Sequence, residues 1–201
     1  MAVNAAVFFD KDGTLVDDVP YNVDPDRIRL APGAGTAVRA LVSAGYRLVV
    51  VSNQSGVARG RFEEAALGPV EARIRSLLRA ENATLDAFAY CPHLPDGSVV
   101  RYAVACECRK PAPGLLLRVA SRLGIDLRRS WMVGDILDDI EAGHAAGCRA
   151  VLVGGDHESE WRLSPSRIPD HTAADLAGAA DVILATDRIG HNAFEDAGRS
   201  W

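Results

Sequence analysis

Two carboxylates stand two residues apart where the first apolar run ends, in Asp10-Lys11-Asp12-Gly13-Thr14. In an extended chain positions i and i+2 share a face, and the glycine lets the backbone turn sharply just beyond them. One carboxylate can then attack an electrophile while its neighbour moves a proton. An anionic nucleophile approaches an anionic phosphate only with positive charge at hand. Asp10, the backbone carbonyl of Asp12 and Asp135 would make a partial oxygen shell for Mg²⁺. Lys110 offers a mobile point charge for a phosphoryl oxygen, and Ser52 a hydroxyl donor. The chemistry these residues would carry is phosphoryl transfer through an acyl-phosphate, which splits a slow hydrolysis into two easier steps. Taken alone, Asp-x-Asp-Gly-Thr also suits an ordinary turn or a calcium-binding loop. Asp139, one turn after Asp135 on an expected helix, either supports the metal from behind or is a solvated helix-start carboxylate, and Asp138 is expected at the surface.

A second cluster is Cys91-x-His93, twelve intervening residues, and then Cys106-x-Cys108. Three sulfurs and one imidazole suffice to close a tetrahedral Zn²⁺. A disulfide, or four unrelated core residues, are the alternatives. A closed shell leaves no open position for water, so the zinc would be structural, ordering a loop that can bury little apolar surface. Arg109 and Lys110 follow Cys108 directly, so the metal would also fix where these cations stand. Cys148 is left over and reads as a small buried apolar residue. His144, His157, His171 and His191 have no second ligand at a fitting spacing and read as structural or surface residues.

The elements that must position these groups are short continuous apolar runs at 7–9, 48–51, 131–133 and 151–153, the pattern of strands buried on both faces. Further strands are expected at 85–90 and at 182–184. Helical periodicity covers 34–44, 113–123 and 137–146, each stopped by a glycine, and 62–83, where Gly68-Pro69 should break or kink the helix. Strand and helix alternate, which predicts an α/β fold, doubly wound, with a mostly parallel sheet and helices on both faces. In such sheets ligands sit beyond the carboxyl ends of the strands. Asp10, Ser52-Asn53 and Gly134-Asp135 all fall at such ends.

The 201 residues, 48% apolar and 24% charged, suit one domain, placed at 1–187 with a zinc loop at 91–108, followed by a polar, in part loosely ordered tail at 188–201. No apolar run approaches the ~20 residues of a membrane helix. A net charge of -5 offers no footprint for nucleic acid. The start of the chain shows no leader pattern, so a cytoplasmic location is expected.

The ordered set Asp10, Ser52, Lys110 and Asp135 resembles the haloacid dehalogenase superfamily of phosphatases. The resemblance implies an aspartyl-phosphate mechanism with Asp10 as nucleophile, Asp12 as general acid/base, Ser52 and Lys110 stabilising the phosphoryl group, and Asp135 binding magnesium. Across about 7–153 the likeness narrows. Ser52-Asn53-Gln54-Ser55-Gly56-Val57-Ala58-Arg59-Gly60, Cys91-Pro92-His93-Leu94-Pro95-Asp96-Gly97-Ser98 and Cys106-Glu107-Cys108-Arg109-Lys110-Pro111 look like the D-glycero-D-manno-heptose 1,7-bisphosphate phosphatases. Histidinol-phosphate phosphatases are similar in the aspartate motif and the zinc-loop ending, and remain the alternative. The heptose resemblance implies a small sugar bisphosphate that loses its 7-phosphate. Asp18, Val19, Pro20 and Tyr21 would line the sugar pocket beside Asn53, Gln54 and Ser55, with Arg59 and Arg109 available to the non-reacting phosphate. Heptose phosphatases often carry Lys after the last Gly-Asp, where this chain has Ile136. No insertion long enough for a cap domain appears, so the zinc loop and the segment 17–26 would act as small lids. A monomer is expected by the same resemblance. A noncatalytic zinc-stabilised binding protein that kept the fold is the remaining alternative.

Overall fold

The computed structural model describes residues 4–154 and 164–197, with side chains as far as residue 188. Strands β1 (Ala6–Phe9), β2 (Arg47–Asn53), β3 (Leu85–Cys91), β4 (Trp131–Gly134), β5 (Arg149–Val153) and β6 (His171–Ala173) form one sheet in the order β3-β2-β1-β4-β5-β6. Every pairing is parallel; Phe8 lies opposite Val49 on one side and Met132 on the other.

β1 and β4, and β2 from Leu48 to Val51, are continuously apolar because both faces are covered. Val7, Phe9, Val50, Trp131 and Val133 point into one layer with helices α1 (Ala34–Ser43), α2 (Leu67–Ala80) and α5 (Leu176–Ala197). Phe8, Val49, Val51 and Met132 point into the other, against α3 (Gly114–Leu123) and α4 (Leu137–Ala146). Each helix supplies a stripe at helical spacing, such as Val70, Ile74 and Leu78 of α2. Full burial of such a side chain contributes about 1.5–3 kcal/mol. The chain winds outward from β1 to β3, then returns to the far side of β1 with β4 and winds outward again. Connections therefore leave β1 and β4 in opposite directions, and a crevice opens at their carboxyl ends.

Three expectations are corrected. Residues 182–184 are not a strand but one turn of α5, where Leu176, Ala179, Ala180 and Ile183 face the core with a period of three to four. The sixth strand is the short His171–Ala173, too polar to show an apolar run. Gly68-Pro69 does not kink a helix. A 3-10 turn at Glu64–Ala66 precedes α2, which starts at Leu67, so the proline sits in a first turn, where a missing N–H costs nothing. The helix α5 also continues to Ala197, so the polar stretch from residue 188 begins as helix. Among the described histidines, His144 bridges Ser166 and Asp170, while His171 packs on Trp131. The side chains of His157 and His191 lie outside the described residues.

Cys148 is buried in the layer of α3 and α4, and burial pushes its thiol up to about 12. At pH 8 an alkylating reagent is expected to spare Cys148 in the folded protein and to label it after denaturation, as read by peptide mass mapping.

Candidate active site

The ladder of β1 ends at Phe9, after which the Asp10 N–H donates to the Val133 carbonyl of β4 at 2.9 Å. The chain then closes a tight loop, with Val16 N–H to Lys11 O at 2.9 Å and Gly13 at φ 78. Only a residue without a Cβ takes that φ at little cost. Both carboxylates are thereby set at the crevice between β1 and β4.

Asp10 forms an ion pair with Lys110, whose ammonium also lies 2.6 Å from Asp139 Oδ1 and donates to the Val51 carbonyl at 3.0 Å. Lys110 is 2% exposed and Asp139 is fully buried. Lys110 is therefore a fixed charge, correcting the expectation of a mobile one. Burial alone would lower its pKa, but Asp10 and Asp139 more than offset this and hold it above the ordinary lysine value. Asp139 also accepts from the Ile136 N–H at 3.4 Å at the start of α4, so the solvated-carboxylate alternative is excluded. A Cβ on Gly134 would stand 2.2 Å from Asp139 Oδ2, so the carboxylate folds over a position that must be glycine. Asp138 pairs with Arg167 away from this cluster.

Asp12 pairs with Lys11 and accepts from Gln54 Nε2 at 3.2 Å. The same amide donates to Ser52 Oγ at 2.8 Å, leaving the Ser52 hydroxyl proton for another acceptor. Burial raises the Asp12 carboxyl above the usual range, with Lys11 opposing and Asp10 adding to the rise. Asn53 grips the backbone of Lys110 at both ends, Oδ1 accepting from its N–H and Nδ2 donating to its carbonyl, each at 3.0 Å. Thr14 Oγ1 donates to Asp135 Oδ1 at 2.9 Å.

Carboxylate oxygens of Asp10, Asp135 and Asp139 all lie within 4.8 Å of one another. An all-oxygen set of this kind fits Mg²⁺.

Cys91, His93, Cys106 and Cys108 also converge. Their sulfurs are 3.2–3.5 Å apart, and His93 Nδ1 is 3.3 Å from Cys108 Sγ and 3.6 Å from Cys91 Sγ. Tetrahedral Zn–S bonds would put sulfurs about 3.8 Å apart, so a small expansion seats the ion. No disulfide joins the described cysteines: the sulfurs stand well beyond the ~2.05 Å of an S–S bond, as a shared ligand set does and a disulfide does not. Burial works against the Cys106 thiolate, yet the Cys108 and Cys91 thiols and nearby backbone N–H groups lower its pKa to about 7. The loop is tied to α3 by Gly114 N–H to Glu107 O at 2.9 Å, and a Cβ at Gly114 would meet that carbonyl at 2.3 Å.

A polar cavity of about 290 Å³ opens over Asp12, walled by residues 18–22 and 53–56. It collects Asp18, Val19, Pro20, Tyr21, Asn53, Gln54 and Ser55. Arg59 is exposed beyond this wall, its N–H donating to Ser55 O, and Arg109 reaches the His93 carbonyl at 3.4 Å. Sequence reasoning gave Lys11 and Thr14 no role. Lys11 is adjacent to Asp12 and meets it only because the loop turns; the Thr of the motif was the one visible signal for its partner.

A family model described as HAD-hydrolase-like matches residues 107–179. D-glycero-beta-D-manno-heptose-1,7-bisphosphate 7-phosphatases are 43% identical in Salmonella typhi and 38% in Yersinia pestis. Each match covers 79% of this chain and 89% of the relative. The crystal structure of the D,D-heptose 1.7-bisphosphate phosphatase of B. bronchiseptica, complexed with magnesium and phosphate, superposes with a TM-score of 0.76. It is 32% identical, covering 90% of this chain and 99% of that one.

Asp139→Asn removes one of the two carboxylates that fix Lys110. Loss of a group that orients a site residue typically costs 10–100-fold, so phosphate release or apparent Mg²⁺ affinity is expected to fall by about that factor. Steady-state assays over a Mg²⁺ series check it, with circular dichroism reporting that the fold is kept.

Proposed function

The chain belongs to the haloacid dehalogenase superfamily, and on that premise we propose that it removes the 7-phosphate from D-glycero-β-D-manno-heptose 1,7-bisphosphate. The observation that carries the reading is the buried Lys110 ammonium held against Asp10, with Asp12, two residues on, lining a polar cavity. The names of the relatives at 38–43% identity support the substrate.

In the first step an Asp10 carboxylate oxygen attacks phosphorus. The Oδ–P bond forms, the bond from phosphorus to the sugar oxygen breaks, and Asp12 gives its proton to the departing oxygen. The raised pKa of Asp12 suits this role, since a carboxyl held above its ordinary range keeps a proton to donate. In the second step Asp12 takes a proton from water as the water oxygen attacks phosphorus, and the Asp10 carboxylate is released. Lys110 and the Ser52 hydroxyl face the charge that develops on the phosphoryl oxygens. Gln54 holds Ser52 and Asp12 in one geometry through a single amide. Asp10, Asp135 and the Asp12 carbonyl would hold Mg²⁺, with Asp139 behind them; when bound, the ion neutralises and orients the phosphate oxygens. Cys91, His93, Cys106 and Cys108 would hold a structural Zn²⁺ that fixes Arg109 and Lys110 in place. Among the described residues no helix is long and apolar enough to cross a membrane. We read the protein as a cytoplasmic monomer with one catalytic domain.

With Mg²⁺, the purified protein is expected to release phosphate from the β-heptose 1,7-bisphosphate in preference to the α anomer and to histidinol phosphate, and Asp10→Asn to abolish release. No release from either heptose anomer, or a preference for histidinol phosphate, would overturn the substrate. Metal analysis should find stoichiometric zinc. Stripping it with a thiol-directed chelator should lower both the thermal midpoint and the activity, because Lys110 lies two residues beyond the last ligand.

A further inference from the structure

The cavity beside the reacting groups is lined by Asp12 and Asp18 and by neither Lys nor Arg. A substrate with two phosphates needs a second positive group, placed towards the mouth. Two features of the rim meet there. Tyr21 on one wall is 48% exposed and adopts φ 56, a left-handed conformation unusual for a bulky side chain. Such strained positions persist where the surroundings over-determine them, and they cluster at ligand clamps. From just beyond the wall of 53–56, the guanidinium of Arg61 lies over the Tyr21 ring, 5.6 Å from its centroid.

The backbone of Arg61 is held in place. Its N–H donates to the carbonyl of Gly56, a lining residue, at 2.9 Å, and the neighbouring Phe62 ring presses on Gly56 so closely that a Cβ there would meet it at 2.2 Å. The side chain therefore starts from a fixed point at the rim, and among the described residues its exposed guanidinium meets an aromatic face, which leaves its N–H donors for an anion.

We propose that Arg61 receives the non-reacting phosphate of a bisphosphorylated sugar at the cavity mouth, with Tyr21 as the platform that holds the guanidinium there. A planar fork of donors matches a phosphate bidentately, which a point charge does not. The contact bridges the walls formed by 18–22 and 53–56, so anion binding would draw both walls onto the substrate. This inference rests on the bisphosphatase reading above.

The test compares kcat/KM for the heptose 1,7-bisphosphate with that for the heptose 7-phosphate in the wild type, Arg61→Ala, Arg61→Lys and Arg59→Ala. A hydrogen-bonded charge contact of this kind corresponds to a factor of about ten or more. Arg61→Ala is expected to lower the bisphosphate-to-monophosphate ratio by at least that factor, mainly through KM, and Arg61→Lys to restore part of it. A ratio preserved in Arg61→Ala, or one that collapses in Arg59→Ala instead, overturns the assignment of Arg61 while leaving the bisphosphatase reading intact. A wild type that leaves the bisphosphate unhydrolysed overturns that reading and this inference with it.

Discussion

Lys110 is a lysine with almost no contact with solvent, and a buried ammonium persists only if it is paired and hydrogen-bonded. Its partners come from three places in the chain: Asp10 after β1, the Val51 carbonyl of β2, and Asp139 in the first turn of α4. Misplacing any of these elements would leave a charge uncompensated in the interior. The ammonium therefore ties the geometry of the crevice to the integrity of the sheet, and the same pairing that stabilises it sets a permanent positive charge beside the Asp10 carboxylate.

Two devices deliver Lys110 to that point. Asn53 clamps its backbone with a pair of hydrogen bonds, so the end of β2 fixes the segment from outside the zinc loop. From the other direction the Cys91, His93, Cys106 and Cys108 cluster gathers a loop with little apolar surface of its own. Its few buried apolar residues, Leu94 and Tyr102, join Val57, Ala58 and Leu67 in a satellite cluster beside the main core. Tyr102 is further bonded to Glu64, which ties the loop to the 3-10 turn ahead of α2. The loop and the wall after β2 thus share one scaffold, and among the described residues no separate cap domain covers the cavity.

Strand positions and the placement of Asp10, Ser52 and Asp135 at strand ends were legible in the sequence, because strands covered on both faces must be continuously apolar and polar motifs directly after them stand out. The helix at 182–184 was misread because three consecutive apolar residues satisfy strand and helix alike; the partners at Leu176 and Ala179 decide between them only once α5 is packed. The polar strand His171–Ala173 carries no apolar signal, since it is an edge strand fixed by its ladder to β5.

What the sequence determined by itself is chemistry that depends on residue type and local spacing: the carboxylate pair, the Cys and His ligand spacing, and the alternation that makes an α/β sheet. What only the tertiary structure decided is environment. Asp139 could have been a surface carboxylate and Lys110 a mobile side chain; burial at the crossing of β1, β2 and α4 made them a fixed ion cluster. Arg61 was one arginine among many until the turn at 55–61 carried it over Tyr21. Contacts between residues far apart in the chain, and the exclusion of water that gives those contacts their strength, are properties of the packed chain and are not encoded in any local segment.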